Sequence, residues 1–354
     1  MGKRIAKGIL CVILILSSAL CFLAKGWISD MLPVQSAAQR WAGDGELEFC
    51  QVSCFLTREE TVDQMAIYRF RYAILDKLHE AGMEADTDTR LFRDAWCAFN
   101  KFKAVSDLAS GDVSVIAVGG DYFSFHPLRL LSGAYLKEED LTKDRILLDE
   151  ESAWLFFGGT DLEGMTVKLD GVPFVVAGVV EREQDFASQK AYNLGRGIYM
   201  SYDAYAQMKE EAGAACYELL MANPVKNFVL SFVQDKFPIG QGVIVENSRR
   251  FSAGRLFALL GEFGQRSMQR YGVVYPYWEN AARCAEDWCT LLLALGVLFA
   301  LFPVCVLLGL LFGLIRRTKA KLTEQVLPGL RDRAGESLRK RQRRRWEKKH
   351  PGQV

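Results

Sequence analysis

Residues 288–315 read WCTLLLALGVLFALFPVCVLLGLLFGLI, a stretch without a single Asp, Glu, Lys or Arg. A second uncharged run, residues 9–24 (ILCVILILSSALCFLA), lies near the other end of the 354-residue chain. Hydrocarbon offers no water to backbone groups, so a helix, which satisfies them internally, is the expected spanning structure for each run. At about 1.5 Å per residue the later run reaches roughly 42 Å, against a hydrocarbon core of about 30 Å. It must tilt, extend beyond the hydrocarbon, or bend at Pro303, where the missing N–H frees a carbonyl one turn earlier. Gly309-x-x-x-Gly313 lies in the inner half of this run. Such spacing permits close approach of a partner helix, and chance glycines in a Leu-rich span account for it equally well. Pro303, Gly309 and Gly313 are the helix-packing candidates.

Charge orients the two runs. Lys3, Arg4 and Lys7 precede the first, and the tail 316–354 holds 14 Lys/Arg against four acidic residues, a net of +10. The whole chain is +1, which leaves −12 on the intervening loop. Lys and Arg accumulate on the cytoplasmic side of spanning helices, so both termini are expected inside and the loop outside. The expected order is a cytoplasmic N-terminus (1–8), a transmembrane helix (9–26), an extracytoplasmic domain (27–287), a second transmembrane helix (288–315) and a basic cytoplasmic tail (316–354). The short first run also suits a signal-peptide core, but a small-x-small cleavage site is poorly marked, because Phe22 stands two residues before Ala24. A retained anchor is the favoured reading.

The tail carries the densest charge run, 339–349 (RKRQRRRWEKK). Clusters of this kind beside a span attract anionic lipid head groups at about 1 kcal/mol per charge. Arg339, Lys340, Arg341, Arg343, Arg344 and Arg345 are therefore the lipid-binding candidates. Nucleic-acid binding is the weaker reading for a tail tethered to a membrane.

A loop of this length can bury a real core in one large or two small domains. Of nine cysteines, Cys11, Cys21, Cys289 and Cys305 lie in or at the spans. The remaining Cys50, Cys54, Cys97, Cys216 and Cys284 are odd in number and irregularly spaced, which is not a disulfide framework. Cys50 and Cys54 share a face of an expected strand, and whether they pair stays open. The loop's two histidines, His79 and His126, stand near no cysteine pair, so no metal site is expected.

Along the loop, 46–55 (ELEFCQVSCF) reads as a strand. Thr57-Arg58-Glu59-Glu60 has the form of a capping box, with Met65, Tyr68, Tyr72 and Leu75 at helical spacing and Gly82 placed to end the helix. Residues 102–107 and 113–118 flank Ser110-Gly111-Asp112 as an expected hairpin. A buried-type strand at 145–148 precedes a helix at 150–157, capped by Asp149 and stopped by Gly158-Gly159. Residues 165–169 and 172–180 flank Asp170-Gly171, a type I′ turn signal. Strands at 197–201, 216–222 and 243–246 alternate with helices at 202–211 and 225–236. Residues 249–287 carry helical patterning, with Leu256, Leu259, Leu260 and Phe263 to one side. They run into the second span without a Pro/Gly/Ser linker, so a helix continuous with the span is expected.

Residues 125–180 carry three motifs in order. They are FHPLRLLSGAYL (125–136), RILLDEESAWLFFGG (145–159) and GMTVKLDGVPFVVAGVV (164–180). This pattern resembles the MacB-like periplasmic core domain of ABC-transporter permeases, relatives of the FtsX and LolC/E proteins. The shared marks are Ser132-Gly133, Phe157-Gly158, Gly164-x-x-Val167 and Val176-x-Gly178-Val179, and flanking elements in family order extend the likeness over most of 9–315. The resemblance implies an α+β fold of mixed β-α-β elements flanked by two transmembrane helices in a bacterial plasma membrane. It also implies a permease subunit in which a separate ABC ATPase drives movement of the outer domain, termed mechanotransmission. Family members usually have four spans. The single span after the loop implies a shortened two-span form, a paired half, or a partner of a complete permease, associating with itself or with other permease subunits through its membrane helices. No P-loop motif is present, so ATP hydrolysis is assigned to the partner. The rival reading is a membrane-anchored extracellular sensor or adaptor without a transport role.

The remaining chemistry is sparse. Asp149, Glu150 and Glu151 suit a helix N-terminus better than acid–base work. The Gly-rich 193–197 (NLGRG) lacks the strand and helix context of a phosphate loop. Ser124, Ser132 or Ser201 with His126 lacks a G-x-S-x-G elbow. With no complete constellation, neither an enzyme nor a cofactor is expected.

Overall fold

The computed structural model describes residues 2–43, 45, 47–83, 91–192, 197–269, 271–321 and 327–349. They form two compact units, Met1–Phe22 with Ala294–Val354, and Leu23–Leu293. The domain expected at 27–287 lies within the second. In chain order the elements begin with α1 (Gly2–Asp30), a 3-10 turn (Pro33–Ser36), α2 (Ala37–Ala42), β1 (Phe49–Phe55), α3 (Gln64–Glu80), β2 (Phe92–Val105) and β3 (Ser110–Gly120). Next come α4 (Tyr122–Phe125), β4 (Leu130–Gly133), β5 (Arg145–Asp149), α5 (Glu150–Phe157), β6 (Thr166–Leu169), β7 (Val172–Val180) and α6 (Phe186–Ala191). The chain continues through β8 (Gly197–Ser201), α7 (Tyr202–Met208), β9 (Cys216–Ala222), α8 (Phe228–Lys236), β10 (Val243–Glu246), α9 (Ala253–Ala258), α10 (Tyr277–Lys321) and α11 (Leu327–Lys349).

Among the described residues the strands make one mixed sheet, ordered β10-β1-β9-β2-β3-β8-β5-β7-β4, with β6 joined to β2 and β7. The β3–β8 and β5–β7 pairs are parallel and the rest antiparallel. Strand side chains alternate between faces, and both faces are covered. On β2, Trp96, Ala98 and Phe102 enter one core, where α3, α5, α7 and α8 contribute Phe70, Phe156, Tyr205 and Phe232. Ala95 and Cys97 of the same strand enter the other core, with Ala38 of α2, Tyr122 of α4, Ala187 of α6, Leu256 of α9 and Trp278 of α10. The result is a mixed α+β domain of three layers. A strand buried on both faces reads as a near-continuous apolar run, as β5 and β9 do.

Local signals hold where the chemistry is local. Asp149 caps α5 by accepting from the Ser152 N–H at 2.7 Å, and Gly158 closes that helix in the left-handed region. Asp170 and Gly171 take φ of 47° and 88°, the left-handed pair a type I′ turn requires. The motif glycines have a geometric origin. A Cβ on Gly133 would stand 2.0 Å from the Ala177 carbonyl oxygen, and one on Gly178 would stand 2.4 Å from that of Ser132. Strand β4 can pair with β7 at this distance only because both side chains are absent.

Three expectations are corrected. Helix α3 starts at Gln64 with Asp63 as its cap, bonded to the Ala66 N–H at 2.5 Å. Thr57 instead closes a separate turn, accepting from the Glu60 N–H. The buried stripe of α3 is Ile67, Phe70, Ile74 and Leu78, whereas Met65, Tyr72 and Leu75 are exposed. Two apolar stripes satisfy the same spacing, and the more aliphatic one faces the sheet. The β2–β3 hairpin turns at Ser106–Ala109, where the Ser106 N–H donates to the Ala109 carbonyl, and Ser110-Gly111-Asp112 lies inside β3. Strand β1 begins at Phe49, and Glu46 lies outside the described residues.

Within the first unit, the helical residues up to Phe22 and those from Ala294 meet at small side chains. Ser18 Oγ donates to the Gly296 carbonyl at 2.8 Å, and a Cβ on Gly296 would meet Cys21 and Phe22 at 3.2–3.3 Å. Helix α10 continues through Pro303 without interruption. Both α1 and α10 are long and apolar enough to cross a membrane.

Candidate functional site at the head of helix α10

Residues 277–293 of α10 belong to the second unit. Tyr277, Trp278, Ala281, Ala282, Ala285, Cys289 and Leu293 recur at helical spacing and are buried in the second core. The alanines leave the helix backbone close to the sheet, and Trp278 fills the space beside them. Its ring lies 4.5 Å from that of His126 at 64°, 5.8 Å from Phe99 and 6.1 Å from Tyr122. His126 is fully buried, with Nε2 2.5 Å from Oε2 of Glu218 on β9. Glu218 also accepts from Ser53 Oγ at 2.9 Å, and that hydroxyl accepts from Asn247 Nδ2 at 2.7 Å. A polar thread thus crosses β1 and β9 beneath the helix.

The thread ends in an ionic cluster. Arg250 donates to Glu279 through Nη1 at 2.6 Å and Nη2 at 2.7 Å, and its Nε stands 3.0 Å from Glu286. It also donates to Gln35 at 3.0 Å and to Asn247 at 3.3 Å. Arg250 and Glu279 are each 1% exposed and Glu286 not at all, so these charges are fully desolvated. Glu279 and Glu286 are seven residues apart on α10 and share a face. Arg283 donates to Glu279 at 2.7 Å, and Arg266 pairs with Glu286. Burial alone would weaken the protonation of Arg250, but Glu279 and Glu286 outweigh it and hold the guanidinium more firmly charged than usual. Removing one partner from such a cluster strands an uncompensated charge.

A second contact engages the first turn. Tyr277 Oη donates to Glu183 at 3.1 Å, Tyr192 Oη donates to the same carboxylate, and the two tyrosine rings stack at 4.5 Å. Burial pushes the Glu183 carboxyl above its ordinary range. The arrangement fixes the position and rotation of one helix against a sheet. Only the helix continuity is expected from the sequence. The partners lie 29 to 36 positions apart for Arg250 with Glu279 and Glu286, and 92 apart for His126 with Glu218, so no local pattern marks them.

The sequence-derived candidates lie elsewhere. A Cβ on Gly309 or Gly313 would meet nothing within 4 Å, so no described residue of this chain approaches them, and Gly296 is the helix-contact glycine that the spacing argument misses. Arg339, Lys340, Arg341, Arg343, Arg344 and Arg345 are exposed on α11 and distributed around the helix rather than along one face. Ser124 accepts from Arg93, and Ser132 donates to the Thr160 carbonyl, so neither serves His126. Residues 193–196 of the Gly-rich stretch and 322–326 and 350–354 of the tail lie outside the described residues. Cys50 and Cys54 are free thiols on one face of β1, and burial first, then Glu246, pushes Cys50 up to about 12.

Residues 79–224 match the family model of the MacB-like periplasmic core domain. That match contains the sheet side of the site, including His126, Glu183 and Glu218, and ends before Arg250 and α10. Similar solved structures include the periplasmic region of MacB from Actinobacillus actinomycetemcomitans, at 16% identity and TM-score 0.38, covering 56% of this chain and 88% of that one. Another is the extracellular domain of the noncanonic ABC-type transporter YknZ from Gram-positive bacteria, at 13% identity and TM-score 0.36, covering 52% and 88%. No curated protein sequence matches the chain.

Proposed function

We propose that this chain, which carries a MacB-like periplasmic core domain at residues 79–224, is a permease-like membrane subunit of an ABC transporter or mechanotransmission complex. A separate cytoplasmic ATPase moves the membrane helices, and α10 passes that movement to the outer domain. Both termini lie in the cytoplasm of a bacterium and the domain outside, a placement supported by the Lys/Arg flanking both apolar runs. The chain catalyses no reaction of its own. Exposed basic residues of α11 hold the tail against anionic lipid, and Gly309 and Gly313 are open to a helix from another permease subunit or a second copy.

The observation that carries this reading is the ionic cluster on α10. The helix that bears the apolar run at 288–315 is held in the outer domain by Arg250, Glu279 and Glu286, all buried. A passive tether needs no such grip, because a flexible linker anchors equally well. A transmitting rod needs one, because slip at the joint would dissipate the movement.

Affinity purification of the tagged full-length chain from native membranes tests the proposal. An ABC ATPase is expected to accompany it, and depletion of that ATPase is expected to change the protease sensitivity of the outer domain. If the chain purifies alone and its protease sensitivity is indifferent to the ATPase, the anchored sensor or adaptor takes the place of the transporter subunit.

A further inference from the structure

The segment between β10 and α10 has an apolar surface that the domain core does not use. In α9 and the 3-10 turn after it (Leu259–Glu262), Leu256 is fully buried, while Phe257, Leu260 and Phe263 are 42–46% exposed. The three fall within one seven-residue segment, 257–263. Their height along α10 is fixed by hydrogen bonds. Thr290 Oγ1 donates to the Leu256 carbonyl at 3.4 Å, the Gly264 N–H donates to Asp287 at 3.1 Å, and the Met268 N–H donates to Asn280 at 2.8 Å. Thr290 is the third residue of the uncharged run, about 3 Å past its start. The exposed patch therefore stands level with the start of the uncharged run of α10.

Other groups mark the same level. Cys289 Sγ lies 3.7 Å from the Lys25 carbonyl, which brings α1 to this height, and Trp27 of α1 is 66% exposed. Trp288 is 43% exposed and sits between the Phe186 ring and the Lys190 ammonium. Trp residues and a lysine at one height are the composition of a membrane–water boundary. Arg255 and Arg266 beside the patch both reach toward buried Glu286, and Glu262, within the turn, keeps an exposed side chain 4.0 Å from Arg266.

We infer that α9 and the turn after it are an interfacial membrane element, inserting Phe257, Leu260 and Phe263 into the head-group and acyl boundary of the leaflet facing the domain. The occupant of this surface is lipid rather than a protein, because the patch is level with the start of the spanning run. Side chains in such elements reach about 5–10 Å into the boundary. The segment then acts as a foot that resists sinking or lifting of the head of α10. This goes beyond the transporter reading and does not depend on it, since an anchored sensor would carry the same foot.

The test uses the full chain in vesicles of phosphatidylethanolamine and phosphatidylglycerol, with p-benzoylphenylalanine placed singly at 257, 260 or 263. Controls carry it at Tyr72 and Leu141, which are 70% and 99% exposed elsewhere in the domain. After irradiation, intact-mass spectrometry is expected to show phospholipid adducts at the three positions at least tenfold above both controls. An adduct yield equal to the controls overturns the inference. So does cross-linking to a second protein chain without lipid adducts, which would make a protein the occupant. All substitutions fall at exposed positions, and a protease fragment pattern like that of the unsubstituted chain verifies folding.

Discussion

Arg250 and Glu279 meet through two charge-assisted contacts of 2.6 and 2.7 Å, with 1% of either side chain open to solvent. One residue follows the last strand of the sheet, and the other lies in the first turn of the helix bearing the second apolar run. Arg250→Ala would open a desolvated gap beside Glu279 and Glu286, which keep Arg283 and Arg266 as partners. A loss of about 3–5 kcal/mol is expected from breaking a buried ion pair, measured by thermal or urea unfolding of the outer domain in the full chain. A single-variant loss below about 1 kcal/mol would mean the cluster is solvated.

Trp278 and His126 form the apolar counterpart of that contact. Trp278→Ala should cost about 3–5 kcal/mol through the cavity it leaves among Phe99, Tyr122 and His126. A double-mutant cycle of Trp278→Ala with His126→Ala should show coupling of about 0.5–1.5 kcal/mol, the range for ring pairs in contact. Additive effects would place the two rings out of contact.

Glu183 makes the joint sensitive to pH in a fixed direction. Burial raises its carboxyl above the ordinary 4.5 in the folded chain. Its contribution is therefore fully present below that ordinary value and is lost as pH rises through the raised one. Glu183→Gln keeps an acceptor for Tyr277 and removes the ionisation. Stability curves from pH 4 to 8 should show the variant gaining on the wild type as pH rises. Parallel curves would contradict the assignment.

What the sequence discloses follows a physical division. Asp149 as a cap, Gly158 as a stop and Asp170-Gly171 as a turn depend on neighbours within a few positions, and each is readable. Strands β5 and β9 are readable because burial on both faces makes them nearly apolar throughout, whereas residues 92–101 of β2, interrupted by Arg93, Asp94, Asn100 and Lys101, are not read as strand. The α3 face misleads because Met65-Tyr68-Tyr72-Leu75 and Ile67-Phe70-Ile74-Leu78 share one period, and only the sheet decides between them. The joint is not legible at all. Arg250, Glu279 and Glu286 read as solvated charges until the fold removes water from them, and Glu218 sits in an apolar strand with nothing local to announce His126.

In the first unit, Gly296 should accept a designed cross-link. A Cβ added to Gly296 would lie 3.3 Å from Cys21 Cβ, close to the roughly 3.5–4.5 Å of disulfides. Gly296→Cys should therefore form a bond with Cys21 under mild oxidant, seen as a linked peptide pair by mass spectrometry. Gly309→Cys, which faces no described residue, should not link to Cys21. Equal linkage in both variants would contradict the helix contact.

The central claim is that nucleotide turnover in a partner moves the outer domain through α10. Hydrogen exchange of residues 277–293, recorded on the purified complex with and without ATP and vanadate, tests it most directly. Exchange in 277–293 and in strand β9 is expected to change with nucleotide, and Arg250→Ala to abolish the response in β9 while sparing that of α10. Identical exchange in both states, with an active ATPase present in the sample, would contradict it.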